Sequence, residues 1–276
     1  MFFICPLCKT PLIKESNSYY CENKHSYDIA SEGYVHLILS NQMNSKNPGD
    51  SKEMVLARES FLSRGYYFSL KDALCKEIKS LSNNFNMPNI LDCGCGEGYY
   101  TNEIYKYLIE QDKIVNMAGI DISKIAIRKA AKKAKNTELN FAVASVYHLP
   151  VEDNKIDVLI NIFSPLCIEE YQRVVKNGGY MIYVVPAKNH LWELKEVLYD
   201  KPYQNEEAEI EYDGFKYIDV IEMRDKIKLN NSQDIKNLFS MTPYLWRTPK
   251  EGIEKLDNLN ELNTKIEFNI HIFRRV

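Results

Sequence analysis

The stretch Asn89-Ile90-Leu91-Asp92-Cys93-Gly94-Cys95-Gly96-Glu97-Gly98-Tyr99-Tyr100-Thr101 constrains the fold of this chain more than any other. A short apolar run ends in an acid, glycines follow at alternate positions, and a helical pattern starts at about Tyr99 with Ile104 and Leu108 on its buried face. Strand, glycine turn and helix form the first unit of a doubly wound parallel sheet, with the ligand crevice outside the C-terminal end of the strand. Glycine belongs there because a ligand must touch backbone where a Cβ would intrude.

The spacing selects the ligand. A nicotinamide fingerprint G-x-G-x-x-G, counted from Gly94, needs glycine at position 99, which is Tyr99. The pattern is D-x-G-x-G-x-G instead. A carboxylate at Asp92 repels a pyrophosphate, but it suits the amino-acid end of S-adenosylmethionine or orders the loop through backbone N–H groups. Gly94 and Gly96 are the expected contacts. The next strand ends Met117-Ala118-Gly119-Ile120-Asp121. An acid at that tip accepts both ribose hydroxyls; the competing role, a cap for the following helix, is one that Ser123 serves equally. The loop after a third strand, Leu139 to Val143, holds Ala144-Ser145, where such a sheet flanks the adenine.

The run Ile156 to Ile162 is continuously apolar, apart from Asp157 and Asn161, and reads as a central strand buried on both faces. Its tip, Phe163-Ser164-Pro165, opens where the substrate would lie. Strand-like segments near 217–222 and 266–273, with a helix around 233–240, are expected to complete a seven-stranded, mostly parallel sheet of the class I, Rossmann-like kind. The helix after Asp121 carries Lys124, Arg128, Lys129, Lys132, Lys133 and Lys135 and reads as a solvated face.

The N-terminus poses a separate problem. Cys5-Pro6-Leu7-Cys8, then Cys21 and His25, give C-x2-C, a gap of twelve, and C-x3-H. Two such turns place four donors around one tetrahedral metal, and all four positions are protein ligands, so the zinc is structural. A segment of about 40 residues needs such a staple, having too little core of its own. A hairpin through Tyr19 and Tyr20 would join the knuckles, and Gly33 to Leu39 would finish the module with a short strand that includes His36. The polar stretch 40–50, with Asn44, Ser45, Asn47, Pro48 and Gly49, is the expected linker. Asp50 and Glu53 form a D-x-x-E capping box for a helix with Met54, Ala57, Phe61 and Leu62 on one face. The division expected is a zinc module at 1–40, a linker and helix start at 41–57, and a cofactor domain at 58–276.

The 276 residues carry a formal net charge of −3, so no basic excess advertises nucleic acid, although a local basic patch would suffice. No apolar run reaches the roughly 20 residues needed to span a bilayer. The chain is expected to be cytoplasmic, with no membrane partner.

With these residues in view, the chain resembles the bacterial 23S rRNA guanine-N1 methyltransferases over nearly its whole length. The shared features are CPLC with Cys21 and His25, Glu32-Gly33-Tyr34-Val35, Asn47-Pro48-Gly49-Asp50-Ser51, and CGEGYYT at 95–101. His190-Leu191 with Glu193-Leu194-Lys195 and the segment Met241-Thr242-Pro243-Tyr244-Leu245-Trp246-Arg247 complete the resemblance. It departs mildly at Cys93 and Ser164. The resemblance implies methyl transfer to guanine N1 in a hairpin loop of 23S rRNA, with the zinc module helping to recognise RNA. It further implies cofactor contacts from Tyr67, Tyr100, Thr101 and His190. A homodimer is a further expectation, one hairpin gripped between two zinc modules. A methyltransferase for a small molecule or tRNA, or a non-catalytic zinc RNA-binding protein that retains a cofactor pocket, are the alternatives. Guanine N1 needs a base or a contact to O6; Glu169 and Glu170 follow the 163–165 loop, and Phe163, Tyr244 and Trp246 are candidates to stack a flipped base.

Overall fold

The computed structural model describes residues 2–42 and 48–276, so the linker positions Asn44, Ser45 and Asn47 lie outside the described residues. The N-terminal segment folds as β1 (Ile13–Glu15), β2 (Ser18–Tyr20) and β3 (Ser26–Asp28), an antiparallel three-stranded sheet, followed by β4 (Tyr34–His36). Two helices, α1 (Lys52–Ser63) and α2 (Phe68–Ser82), lead into the alternating part: β5 (Asn89–Cys93), α3 (Tyr99–Glu110), β6 (Asn116–Asp121), α4 (Lys124–Lys133), β7 (Asn140–Val143) and β8 (Ile156–Ile162). The remainder is α5 (Ile168–Val174), β9 (Val175–Pro186), α6 (Trp192–Leu198), β10 (Phe215–Leu229), α7 (Ser232–Ser240), α8 (Lys250–Asp257) and β11 (Leu262–Arg275).

The main sheet runs β10-β11-β9-β8-β5-β6-β7-β4. From β10 to β7 these are the seven strands expected. β5 pairs in parallel with both β6 and β8, while β11 is antiparallel to β9 and β10. β8 is buried along its whole length. The strand order reverses at β5, which puts the glycine turn at the topological switch point. Apolar clusters cover both faces, one centred on α1, α2 and α3, the other on Phe2, Phe3 and Tyr171.

The sheet has an eighth strand, and it comes from the N-terminal segment. β4 meets the zinc module through a bridge from Val35 to Ile29 and a hydrogen bond from the Ala30 N–H to the Tyr34 carbonyl at 2.8 Å, and it also pairs in parallel with β7, Tyr34 opposite Phe141 and His36 opposite Val143. The backbone of Phe3 bridges Val151, and both Phe2 and Phe3 are buried in the core of the large sheet. A strand of three residues cannot stand alone, and the unpaired edge of β7 offers it a ladder.

One local expectation is corrected. The N-cap of α1 is Ser51, whose hydroxyl accepts the Met54 N–H at 3.3 Å. Asp50 is freed from capping and pairs with Arg58 instead. Met54, Ala57, Phe61 and Leu62 are buried as their spacing required. The basic helix α4 is tied by ion pairs to its neighbours, Lys129 and Lys133 to Glu59 of α1 and Arg128 to Glu32.

Candidate functional site: a closed metal knuckle and an open cofactor crevice

The ligand atoms of Cys5, Cys8, Cys21 and His25 all lie within 4.8 Å of one another. Cys8 Sγ is 3.6 Å from Cys21 Sγ, and His25 Nδ1 is 3.5 Å from Cys5 Sγ and 3.4 Å from Cys21 Sγ. A tetrahedral zinc with Zn–S of about 2.3 Å and Zn–N of about 2.0–2.1 Å has ligand–ligand edges of about 3.5–3.8 Å. The three short edges, at 3.4–3.6 Å, are close to those of such a site. Each knuckle closes through a left-handed residue, Lys9 at φ 63° and Lys24 at φ 63°, whose N–H returns to the carbonyl of Cys5 or Cys21 at 2.9 Å. Hydrogen bonds from Thr10 and Asn23 hold the Cys8 thiol down at about 5, in the thiolate range. Tyr27 donates its hydroxyl to Cys5 Sγ at 3.1 Å, an outer contact that orients the ligand. His36 is not part of this cluster and occupies an exposed position of β4.

At the C-terminal ends of β5, β6 and β8 lies a cavity of about 840 Å³. Tyr67, Asp92, Gly94, Gly96, Tyr100, Asp121, Ser145 and His190 all line it, as do Phe163, Ser164 and Pro165. Thr101 does not reach the surface; it is buried behind Asp92 and donates to Asp92 Oδ2 at 2.6 Å.

The glycine turn is shaped by what surrounds it. A Cβ on Gly94, at φ +80°, would meet Ser164 Oγ at 2.3 Å, so the cofactor loop and the β8 tip abut. A Cβ on Gly98 would meet Ala130 Cβ at 2.6 Å, which lets α3 and α4 approach. Asp121 accepts the Gly96 N–H through Oδ2 at 2.9 Å and the Ser123 N–H through Oδ1 at 2.7 Å, while Ser123 itself caps α4. Each oxygen retains a lone pair for a ribose hydroxyl.

Three buried polar atoms here have no partner among the described residues: Asp92 Oδ1, Glu97 Oε1 and the Tyr100 hydroxyl. Buried acceptors are rarely left unpaired without a ligand to satisfy them. Burial pushes the Asp92 carboxyl up to about 7; Thr101 pulls it down, and the charges of Asp121 and Glu97 push it further up. Such a site favours a cationic ligand that restores charge balance. The donor and acceptor set therefore fits S-adenosylmethionine.

His190 has a fixed tautomer. Its Nδ1 accepts the Glu267 backbone N–H at 3.1 Å, so the ring proton sits on Nε2, 3.4 Å from the Tyr67 hydroxyl. Burial, then Lys195, holds its pKa down at about 3, so the ring is a neutral donor and not a base. Glu170 accepts the Leu149 N–H at 2.6 Å and two Arg173 N–H groups at 2.8 Å, which assigns it to loop structure.

The aromatic candidates divide. Tyr244 is 8% exposed and sits under the Lys195 ammonium, a packed residue, whereas Trp246 at 72% and Phe163 at 44% are open on the cavity wall. Tyr147, 53% exposed on the same wall, was not anticipated. Two further residues escaped the sequence reading. Asn161, fully buried in β8, donates to the Pro165 carbonyl at 3.0 Å and accepts the Ser164 N–H at 3.2 Å, holding the 163–165 loop. Arg58 lines the cavity and is its only Lys or Arg among the described residues. Both had a signal: each is a polar residue on an otherwise buried stripe.

Comparison with known proteins agrees with this geometry. Residues 85–239 match the profile "Methyltransferase domain", and residues 3–46 match "RlmA, N-terminal". A Bacillus subtilis protein named "Putative 23S rRNA (guanine-N(1)-)-methyltransferase YxjB" is 32% identical over 278 residues, covering 98% of this chain and 96% of that one. A 23S rRNA (guanine(748)-N1)-methyltransferase of Streptomyces fradiae is 30% identical over 195 residues, covering 70% of this chain and 66% of that one. Among solved structures, the YcgJ protein of Bacillus subtilis superposes with a TM-score of 0.52 at 14% identity, over 73% of this chain and 97% of that one, a likeness of fold alone. With the open crevice suited to S-adenosylmethionine and the closed knuckle suited to zinc, the chain belongs to the 23S rRNA (guanine-N1)-methyltransferases.

Proposed function

We propose that this chain methylates N1 of a guanine in a hairpin loop of 23S rRNA. The observation that carries this is the junction at Gly94 and Ser164: the donor crevice opens directly onto a wall bearing Phe163, Tyr147 and Trp246. A base taken out of its stack needs aromatic faces beside the chemistry. Relatives whose names refer to 23S rRNA support the same substrate.

S-adenosylmethionine supplies an already activated methyl group on a sulfonium. The protein's work is alignment and exclusion of water. In this reading Asp121 holds the ribose, Gly94, Gly96, Asp92 and Tyr100 cradle the amino-acid end, and Thr101 fixes Asp92 from behind. Ser145 flanks the adenine. The Tyr67–His190 pair closes the cavity wall as a string of donors. Ser164 and the backbone near Pro165, locked by Asn161, take the guanine edge. The module over residues 1–40, held by zinc on Cys5, Cys8, Cys21 and His25, grips the RNA, and two chains share one hairpin. No helix among the described residues is long and apolar enough to cross a membrane, and an rRNA substrate places the proposed activity in the cytoplasm.

The test is to map N1-methylguanine on 23S rRNA from a strain lacking the gene, with and without complementation. The expected result is one guanine that loses its modification and regains it. An unchanged methylation pattern overturns the reading. Light scattering on the purified protein tests the dimer, a monomeric mass in the presence of the hairpin being the contrary result.

A further inference from the structure

Arg58 projects from α1 into the cofactor cavity, on the same face as Met54 and Leu62, which also line it. Around it the cavity is lined by Asp50, Asp92, Glu97 and Asp121, so four carboxylates and one guanidinium border the same space. S-adenosylmethionine brings the converse set: a sulfonium and an ammonium, and a single carboxylate. The cationic groups have several acidic counterparts here. The carboxylate has one.

The donors of Arg58 are only partly used. Nη1 donates to Asp50 Oδ2, and Nη2 donates to the Met241 carbonyl at 3.3 Å. A guanidinium has five N–H groups in a fixed fork, so these two bonds leave donors to spare. Its Nη1 lies 3.8 Å from where a Cβ on Gly96 would stand, which places the charge over the glycine turn. The Arg58 side chain is 25% exposed, and withdrawing most of a guanidinium from water beside a ligand crevice is costly without a function for its charge. Asp50 alone accounts for one edge of the fork.

We infer that Arg58 anchors the carboxylate of the cofactor's methionyl end. It is a cofactor-positioning residue that rests on the assignment of S-adenosylmethionine to this cavity. Because the same guanidinium ties Asp50, at the exit from the zinc-module linker, to Met241, at the start of the Thr242–Trp246 wall, a filled cofactor site braces two segments that border the acceptor.

The test separates anchoring from propping. Binding is measured calorimetrically with S-adenosylhomocysteine, which has the carboxylate, and with 5′-methylthioadenosine, which lacks the whole amino-acid end. Arg58→Gln should weaken S-adenosylhomocysteine by about 10- to 100-fold, the range for a charge-assisted bond, and leave 5′-methylthioadenosine within about twofold. Arg58→Lys should recover part of the loss. Equal weakening of both ligands, or no weakening of either, overturns the inference. Failure of the unmodified protein to bind S-adenosylhomocysteine at all would instead overturn the cofactor assignment. If Arg58→Gln does not fold, decarboxylated S-adenosylmethionine against the unmodified protein serves: affinity equal to that of the intact cofactor counts against the anchor.

Discussion

The zinc knuckle and the glycine turn are both short loops that gather polar groups into one place, yet they end in opposite states. Around the knuckle the polar groups face one another: four ligand atoms lie within 4.8 Å, and the left-handed turns close on the carbonyls of their own knuckles. Around the glycine turn the accounts stay open, with Asp92 Oδ1, Glu97 Oε1 and the Tyr100 hydroxyl unpaired and an Asp121 whose oxygens are only partly used. A closed polar set fixes a fold. An open one waits for a ligand.

The strongest way to break the comparison is to remove the metal. Replacing Cys21 with Ser, or chelating the native protein, should eliminate one equivalent of zinc and unfold the three-stranded sheet, since structural zinc contributes on the order of 10 kcal/mol to such modules. RNA methylation should fall by about 100-fold or more, while S-adenosylhomocysteine still binds. Loss of cofactor binding on chelation would show that the two regions are one cooperative unit. Next in size is Phe3→Ala. Phe3 is buried in the main core although it precedes the first knuckle. The change should cost about 3–5 kcal/mol of global stability in denaturant unfolding, the range for a buried aromatic; a value near zero would mean that the N-terminus is not stitched to the large sheet.

Asp121→Ala probes the open site directly. Cofactor affinity should fall by about 10- to 100-fold, with RNA affinity and zinc content unchanged by filter binding and metal analysis. Trp246→Ala should do the reverse. Loss of one stacking face costs about 1–3 kcal/mol of RNA binding, and cofactor affinity should stay fixed; equal losses for both ligands would dissolve the division of the cavity.

The smallest expected effect concerns pH. Asp92 is held near 7 by burial, so its carboxyl takes up a proton as pH falls through that value. A raised acid pKa means the ligand-free fold binds more protons than the unfolded chain between about pH 4 and 7, and so loses stability as pH rises across that window. Cofactor binding has the opposite sign, because the cationic ligand favours the ionised form. Affinity should drop modestly from pH 8 to 6, and binding near pH 6.5 should release protons, seen as a buffer-dependent heat. Asp92→Asn should abolish that dependence; an unaltered pH profile would move the titrating group elsewhere.

Much of this was legible in the residues. D-x-G-x-G-x-G ahead of a helical pattern specified strand, turn and helix, because glycines after an apolar run let the backbone turn tightly beneath a ligand. Cys5, Cys8, Cys21 and His25 specified a tetrahedron, because ligand spacing on two tight turns is local geometry. Helix α1 was legible on its buried face, but its cap was misplaced by one residue, since Asp50 and Ser51 both qualify and only the pairing of Asp50 with Arg58 decides between them.

What the sequence could not decide is everything that depends on distant segments meeting. The strand Tyr34–His36 carries no mark telling it to join β7 as well as its own module. The tautomer of His190 is set by a backbone N–H 77 residues away. Trp246 and Tyr244 look alike in a motif, and only packing put one under Lys195 and left the other open. Local spacing determined the two loops of this protein. Tertiary structure decided that one is sealed by its own ligands and the other is left open, because satisfaction of a polar group depends on which neighbours the fold brings within reach.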